Sequence, residues 1–430
     1  MVETLRTPNL ITDPTPRLGI DQVRSGTHAT PVYDPANDAI RRNPFPIYVE
    51  LQEHDPVHWS EPIRSWVITR YDDVRQVAMS SNMSSDRLRP FYESLKDERR
   101  DILSGVMRYL NLWLVFKAPP EHTRLRKLLN SVFTPAMFAS LEAQVVQTVD
   151  HIFQKCDAGA ETDFMKEVAV LVPAYVILDM LGVPRGDFEK IKVWSDDLRL
   201  FIGTAKGGGD KYRKARDGAD HMSDYFKEII QQRRKQPGAD VISLMIAARD
   251  DHGPLNEDEL IATCMLILFG GHETTTNLLG NAVVALLDHP DQLQRIRNDP
   301  DLIALAVEEF LRYDGPTNSI ARVVATEHQL GDKTLREGDR VFAMINAANR
   351  DPRRFERPNA LDLGRTPNRH LTFGQGVHFC LGAPLARLEA KVCLGQLVAR
   401  YPNLRRGDRE VDWIDALVMR GPSQLPIFLA

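Results

Sequence analysis

A mainly α-helical fold with a small β region, built as one domain over residues 1–430, is what this sequence predicts. Three observations lead there. Helix-period segments with start and stop signals follow one another from Pro119 onward. One of them, residues 256–288, holds its pattern long enough to span ~50 Å at 1.5 Å per residue, which would cross the whole molecule. Strand-like alternation is confined to a few short stretches.

The totals set bounds. With 430 residues, 43% of them hydrophobic, the core can be large. A formal net charge of −5 and no polybasic tail give nothing that favours nucleic acid. Cys156, Cys264, Cys380 and Cys393 stand far apart and form no Cys-x-x-Cys pair. Neither a zinc site nor a disulfide framework is suggested, and a reducing cytoplasm fits. Residues 1–30 are polar and lack the apolar core of a signal peptide. No apolar run approaches the ~20 residues of a membrane span. The expectation is a soluble, cytoplasmic protein.

In chain order, residues 1–44 read as an irregular arm and residues 46–53 as a short helix. Val57-His58-Trp59-Ser60 and Trp66-Val67-Ile68-Thr69 alternate enough for a hairpin. Residues 71–80 are helical, opened by Asp72 and Asp73. Residues 81–120 carry mixed signals and several bulky apolar side chains, and read as a long, partly ordered loop. Pro119-Pro120-Glu121 starts a helix with proline in a tolerated early position. Helices over 135–156, 166–181 and 187–202 follow. Gly207-Gly208-Gly209 separates the last of these from helices over 211–235 and 241–248.

Inside the long segment 256–288 lies Leu268-Phe269-Gly270-Gly271-His272-Glu273-Thr274-Thr275-Thr276. Each glycine weakens a helix by ~1 kcal/mol. Close packing against another helix is one reading. The other is a local opening, because Thr274 can bond the Gly270 carbonyl at i−4 and such bonds bend helices. A widened turn makes a polar groove for a small molecule and waters.

A helix over 301–313 comes next, with Glu309 and Arg312 on one face at i and i+3. Residues 317–325 read as a strand, 333–339 as a turn and 340–345 as a strand. Residues 351–370 are irregular, rich in proline and arginine. A helix over 383–401 follows the stretch Phe373-Gly374-Gln375-Gly376-Val377-His378-Phe379-Cys380-Leu381-Gly382. Residues 413–430 suggest closing strands around Arg420-Gly421-Pro422.

That glycine-rich stretch organises the rest. Gly374 and Gly376 allow a tight, positive-φ path. The loop presents Cys380 at the start of a helix, where unpaired N–H groups and the dipole are expected to lower the thiol pKa. Gly382 leaves room for a flat body against the backbone. A shielded thiolate beside a flat slot suits an iron porphyrin. The spacing Phe-x-x-Gly-x-His-x-Cys-x-Gly resembles the haem-binding loop of the cytochrome P450 family, in its soluble bacterial type.

The resemblance implies more, residue by residue. The fold would hold haem b (iron protoporphyrin IX) between the long helix and the cysteine-bearing helix, with Cys380 as the iron ligand. Phe373, Gly374, Gly382, Gly270 and Gly271 would line the haem site. Relatives more often carry alanine at Gly270, so glycine enlarges the groove. Glu273 and Thr274 match the acid–alcohol pair of oxygen activation, a carboxylate that relays protons and a hydroxyl that holds them. His272 is given no catalytic role. Glu309 and Arg312 match a buried lock, with Arg365 as its third member. His122 and Arg126, at i and i+4, together with Arg322 and His378, match the usual partners of the haem propionates.

The implied reaction is monooxygenation of a hydrophobic small molecule by O2, as hydroxylation or epoxidation. Electrons would come from a ferredoxin or flavodoxin with its NAD(P)H-dependent reductase, because the chain has no dinucleotide loop or iron–sulfur cysteine set of its own. A peroxide-driven peroxygenase is one alternative, and Glu273-Thr274 argues against it. A non-catalytic haem-thiolate sensor is another, and no residues remain for an output domain. By likeness of roles, the substrate pocket would be lined by Leu112, Trp113, Leu114, Val115, Phe201, Leu266, Phe269, Thr317, Asn318 and Met419. Arg387, two turns past Cys380 on its helix, would help dock the electron donor, with Arg124 and Lys127 extending a basic patch.

Overall fold

The computed structural model describes residues 31–156, 159–202, 210–251 and 253–430. The first part of the expected arm, residues 1–30, and the Gly207-Gly208-Gly209 separator lie outside them.

The central helix Glu257–Asp288 forms as its sequence requires. Asn256 Oδ1 accepts from the Glu259 N–H at 2.9 Å, and Glu259 Oε2 accepts from the Asn256 N–H at 2.9 Å. This capping box satisfies two otherwise orphaned donors. The helix carries apolar residues around most of its circumference because it is buried by neighbours on nearly every side. Helix Leu171–Leu181 packs against it and stops at Gly182, whose φ of 68° is left-handed. Helix Ala383–Arg400 packs on another side, with Pro384 in its first turn.

Beside this helical body lies a five-stranded sheet in the order Val57–Ser60, Ser65–Ile68, Arg340–Met344, Ser319–Val324, Met83–Ser84. Only Ser65–Ile68 and Arg340–Met344 pair in parallel. Arg322 sits opposite Val341 in this sheet. Strand Pro426–Phe428 pairs with both Glu161–Asp163 and Arg405–Arg406, which stitches the C-terminal segment onto the helical body.

Several expected boundaries move. Residues 81–120 are not one loop, because helices Leu88–Glu93 and Asp97–Leu110 occupy much of them. The second buries Leu103, Val106, Met107 and Leu110. Their i, i+3, i+4, i+7 spacing is an amphipathic signature masked by the preceding charged run Asp97-Glu98-Arg99-Arg100-Asp101. The arm contains a short helix, Asp38–Arg42, capped by the Asn37 side chain. The expected helix 135–156 breaks at Leu141 into Pro135–Ser140 and Glu142–Phe153. The expected helix 166–181 begins as a π-helical turn, Met165–Ala169, in which the Val170 N–H reaches Met165 O at 3.0 Å. A helix that was not expected, Pro290–Asn298, follows the central one. The expected turn 333–339 is partly strand, since His328–Leu330 and Lys333–Leu335 form a hairpin around Gly331. Among the described residues no helix is long and apolar enough to cross a membrane.

Candidate active site

A cavity of about 330 Å³ lies between the central helix and the cysteine loop. Leu266, Gly270 and Thr274 form one wall, and Phe373, Cys380 and Gly382 the other. The loop takes its shape from two left-handed glycines, Gly374 at φ 74° and Gly376 at φ 68°. The Gly374 N–H donates to Leu371 O at 2.8 Å, and the Cys380 N–H returns to Phe373 O at 2.8 Å. These bonds close a ring that holds Cys380 within the protein body while its side chain is exposed to the cavity.

The expected lowering of the Cys380 thiol is not what the surroundings produce. Burial pushes the thiol up. The backbone N–H groups of Gly382 and Ala383, with Arg126 and Arg387, pull the other way and do not overcome it. The dipole argument counts only the local helix end, while desolvation depends on everything packed around it. A ligated metal would hold the sulfur as thiolate outright.

The paired glycines of the central helix do different things. A Cβ added at Gly270 would meet nothing within 4 Å, so this position faces open cavity. A Cβ at Gly271 would collide with the Ile177 side chain, so this glycine is what lets helix Leu171–Leu181 come close. The helix runs unbroken through both, with Thr274 Oγ1 donating to Gly270 O at 2.9 Å. The expected bond forms, but the expected opening does not interrupt the helix. Opposite stability effects follow. Gly270→Ala should stabilise by up to about 1 kcal/mol through helix propensity. Gly271→Ala should destabilise by about 1–3 kcal/mol through overpacking. Urea unfolding of the two variants should shift the midpoint in opposite directions; shifts of the same sign count against this division of labour.

Three basic groups, His122, Arg126 and His378, line the cavity, and Arg322 lies near enough to His378 to act on it electrostatically. His122 is 1% exposed, and neither ring nitrogen has a hydrogen-bond partner. Its ring stands 4.4 Å from that of His378, centroid to centroid. Arg126 donates from Nη1 to Phe379 O at 2.7 Å. Arg322, 9% exposed, donates only to its neighbour Ala321 O, at 2.9 Å. No carboxylate pairs with any of the four among the described residues. The electrostatic consequence is visible in their acidities. Burial lowers Arg322 to about 10. Burial, then Arg322, His122 and Arg126, brings His378 down to about 3. Burial followed by Arg126 lowers His122. A buried arginine without an anion is costly, and Arg322, with Arg126 and the two imidazoles beside it, calls for a ligand that carries carboxylates. A flat group with two carboxylates, ligated by Cys380 and lying against Gly270 and Gly382, satisfies every one of these features.

The proposed acid lies on the far side of the central helix's cavity face. Glu273 Oε1 is 3.9 Å from Arg199 Nε, on helix Phe188–Ile202, and 3.4 Å from His272 Nε2. Burial raises this carboxyl, but His272, Arg199 and Lys192 outweigh it and hold the group below the usual range.

Glu309 and Arg312 are wholly buried, and Arg365 joins them as expected. The site closes around the carboxylate and is tied to the cysteine loop. Thr372 Oγ1 donates to Leu311 O at 2.6 Å and accepts from Asn349 Nδ2 at 2.9 Å.

The expected basic docking patch is not made of free charges. Arg387 pairs with Glu308 at 2.6 and 2.9 Å and lies over the Phe373 ring, 4.4 Å from its centroid. Arg124 pairs with Glu259 at 2.6 Å and Asp250 at 3.6 Å. Lys127 meets Asp251 at 3.4 Å on the surface. Arg387 therefore supports the loop from behind. Burial would raise Glu308, but Arg387 and then His370 draw it from 4.5 to about 2. A depressed carboxylate contributes stability that is fully present above its unfolded value and is lost as pH falls through the folded one. The contribution should fade between about pH 4.5 and 2. Glu308→Gln should cost on the order of 2 kcal/mol at pH 7. The gap to the parent protein should narrow toward pH 3; a gap independent of pH would contradict the pairing.

Of the expected lining residues, Leu114, Val115, Leu266 and Thr317 reach the cavity wall. The others sit elsewhere. Trp113 is 1% exposed and packs on Phe116 and Phe269, with centroids at 6.1 and 5.4 Å. Leu112 and Phe269 belong to the same apolar packing. Phe201 contacts Phe91 and Tyr212. Asn318 is held by the Tyr48 hydroxyl at 2.9 Å, and Met419 shares a β-bridge with Thr317; both border a separate small cleft. Ile177, Met180 and Ile320 line the cavity instead and were missed. Ile320 had a signal, since it shares a strand face with Arg322. Glu389 was missed too. It is 1% exposed in the cavity wall, and burial pushes its carboxyl up to about 8.

Comparison with known proteins agrees with this geometry. The profile of the family described as Cytochrome P450 matches residues 56–416. The chain is 34% identical over 398 residues to the biotin biosynthesis cytochrome P450 of Bacillus subtilis (strain 168), covering 91% of this chain and 98% of that one. It is 34% identical over 418 residues to vitamin D(3) 25-hydroxylase of Pseudonocardia autotrophica, covering 93% and 97%. Among solved structures, P450BioI in complex with hexadec-9Z-enoic acid-ligated acyl carrier protein superposes with a TM-score of 0.84 at 32% identity, covering 91% of this chain and 99% of that one.

Proposed function

The chain belongs to the cytochrome P450 family, and on that premise we propose that it inserts one oxygen atom of O2 into a hydrophobic small molecule, by hydroxylation or epoxidation. The family works with a haem iron, read here as haem b. The observation that carries the proposal is the cavity itself, with Cys380 and Gly382 on one wall, Gly270 and Thr274 on the other, and His122, Arg126 and His378, backed by Arg322, without a carboxylate partner. When bound, the haem supplies the redox chemistry: substrate, O2, two electrons and two protons give hydroxylated product and water.

The chain's own residues would do the rest. Cys380 would ligate the iron, and the four basic groups would take the propionates. Leu114, Val115, Ile177, Leu266 and Ile320 would exclude water and receive an apolar substrate. Names among the relatives, an acyl chain on a carrier protein and a vitamin D(3) hydroxylase, are in keeping with a hydrophobic substrate. The Thr274 hydroxyl, now on the Gly270 carbonyl, would hold a proton at the cavity wall. Glu273 would pass protons to it from the side of Arg199. Electrons would arrive from a ferredoxin or flavodoxin and its reductase. The acid–alcohol pair favours this reading over a peroxide-driven or sensing role.

Titrating a compound panel against the Soret band identifies a substrate, and turnover under isotopically labelled O2 then tests the reaction. One labelled oxygen atom in the product is expected; a product without label overturns the reading. Thr274→Ala tests the relay. Product formed per reductant consumed should fall several-fold while haem content stays intact, and unchanged coupling on a good substrate removes Thr274 from this role.

A further inference from the structure

We propose that His272 and Glu273 hold one proton between them, and that His272 is a positioning residue that keeps the Glu273 carboxylate in place and returns a proton to it. The inference rests on the proton-delivery reading above and assigns a role to a residue given none there.

Hydrogen-bond chemistry leads to it. His272 Nδ1 lies 2.7 Å from Leu268 O. A carbonyl oxygen only accepts, so Nδ1 must carry the hydrogen. In a neutral imidazole Nε2 is then a bare acceptor. Yet Nε2 faces Glu273 Oε1 at 3.4 Å, inside the protein, with side chains only 7% and 17% exposed. Two acceptors facing each other there would repel, so one proton belongs to the pair.

The surroundings decide where that proton rests. Arg199 Nε is 3.9 Å from the same Oε1 and favours the carboxylate. Arg199 also stands 3.6 Å from Asp196, which is bonded to Lys192 at 2.5 Å on the same helix. Burial opposes a charged imidazole, but Glu273 first, then the Leu268 carbonyl and Asp196, outweigh it, and His272 is raised. Both shifts favour imidazolium against carboxylate.

The order along the chain gives the path. Thr274 opens on the cavity, Glu273 stands next to it, and His272 backs Glu273 with Arg199 and Asp196 on the outer side. The Nε2–H proton passes to the Glu273 carboxylate, Glu273 passes it on toward Thr274 and the cavity, and a proton from water restores the imidazolium. No electrons move, and each proton is replaced.

Two variants and one titration test this. His272→Gln keeps an N–H donor for Glu273 but has no proton it can transfer, and His272→Leu removes both. In the haem-loaded enzyme with its electron donors, product per reductant should decline as pH rises through the His272 transition. In His272→Gln coupling should be several-fold lower and flat with pH, and in His272→Leu lower still. Coupling and a pH profile in His272→Gln that match the parent overturn the proposal.

Independently, nuclear magnetic resonance of isotope-labelled histidine in the parent chain should show His272 charged above its ordinary value of 6.5. Glu273→Gln should bring that midpoint down; a midpoint that ignores this change overturns the shared proton. Labelled oxygen in the product with unchanged His272→Gln behaviour sinks this inference alone, whereas absence of labelled product sinks the reading beneath it.

Discussion

Cys380→His is expected to abolish the Soret band of the reduced carbonyl complex that gives the family its name, and monooxygenation with it. The loop leaves no substitute sulfur. Cys264 and Cys393 are buried in the apolar core, where burial pushes both thiols well above their usual range. Cys156 lies at the end of helix Glu142–Phe153 and does not line the cavity. Gly374, Gly376 and the Cys380 N–H to Phe373 O bond are backbone features, so the loop should keep its path in the variant. Imidazole at this position can still ligate iron, but it lacks the thiolate's electron donation, which favours O–O cleavage. Haem content, the carbonyl spectrum and turnover should be measured together. A variant that loads haem and keeps the thiolate-type band would show that another residue is the ligand.

Glu309→Ala is expected to cost about 3–5 kcal/mol, because it strips the anion from a fully buried ion cluster. Arg312 donates to Glu309 from Nε at 2.8 Å and Nη2 at 2.7 Å. Arg365 Nε reaches both carboxylate oxygens, at 3.2 and 3.1 Å. The Asp362 N–H at 2.9 Å and Asn368 Nδ2 at 3.1 Å complete the set. Arg312 in turn holds the carbonyls of Asn349, Pro358 and Ala360. Removing Glu309 leaves two guanidinium groups facing each other with little exposure. The segment leading into the cysteine loop should loosen, and haem retention should fall with stability. Arg312→Lys should also be poorly tolerated, since one ammonium cannot reproduce a planar fork. The readouts are the urea midpoint and haem per chain; a Glu309→Ala protein with the parent midpoint would mean that the cluster contributes no net stability.

Much of this site could be read from the chain because it depends on spacing within a turn or two. Thr274 on the Gly270 carbonyl, His122 and Arg126 on one helix face, and Glu309 beside Arg312 are all i to i+3 or i+4 relations. Helix geometry fixes these whatever else packs nearby. The positive-φ glycines of the cysteine loop were legible for the same reason. Arg365 was found only through resemblance, since it reaches Glu309 across 56 positions.

What the chain did not show was long-range. Arg387 was assigned to donor docking; its pairing with Glu308, 79 positions earlier, could not be read, because no periodicity connects them. Trp113, Phe201, Phe269, Asn318 and Met419 have suitable chemistry for a pocket, yet packing partners turned them away from it.

The sequence by itself determined the helical body, the central helix and the loop that presents Cys380, each from backbone preferences and local side-chain spacing. The set of basic groups came through resemblance. Tertiary structure alone decided which of two adjacent glycines faces the cavity and which receives Ile177. It alone set the direction of the Cys380 thiol, where burial by distant segments outweighs the nearby N–H groups. Desolvation and close packing are sums over neighbours that the chain brings together only when folded, so no stretch of sequence carries them.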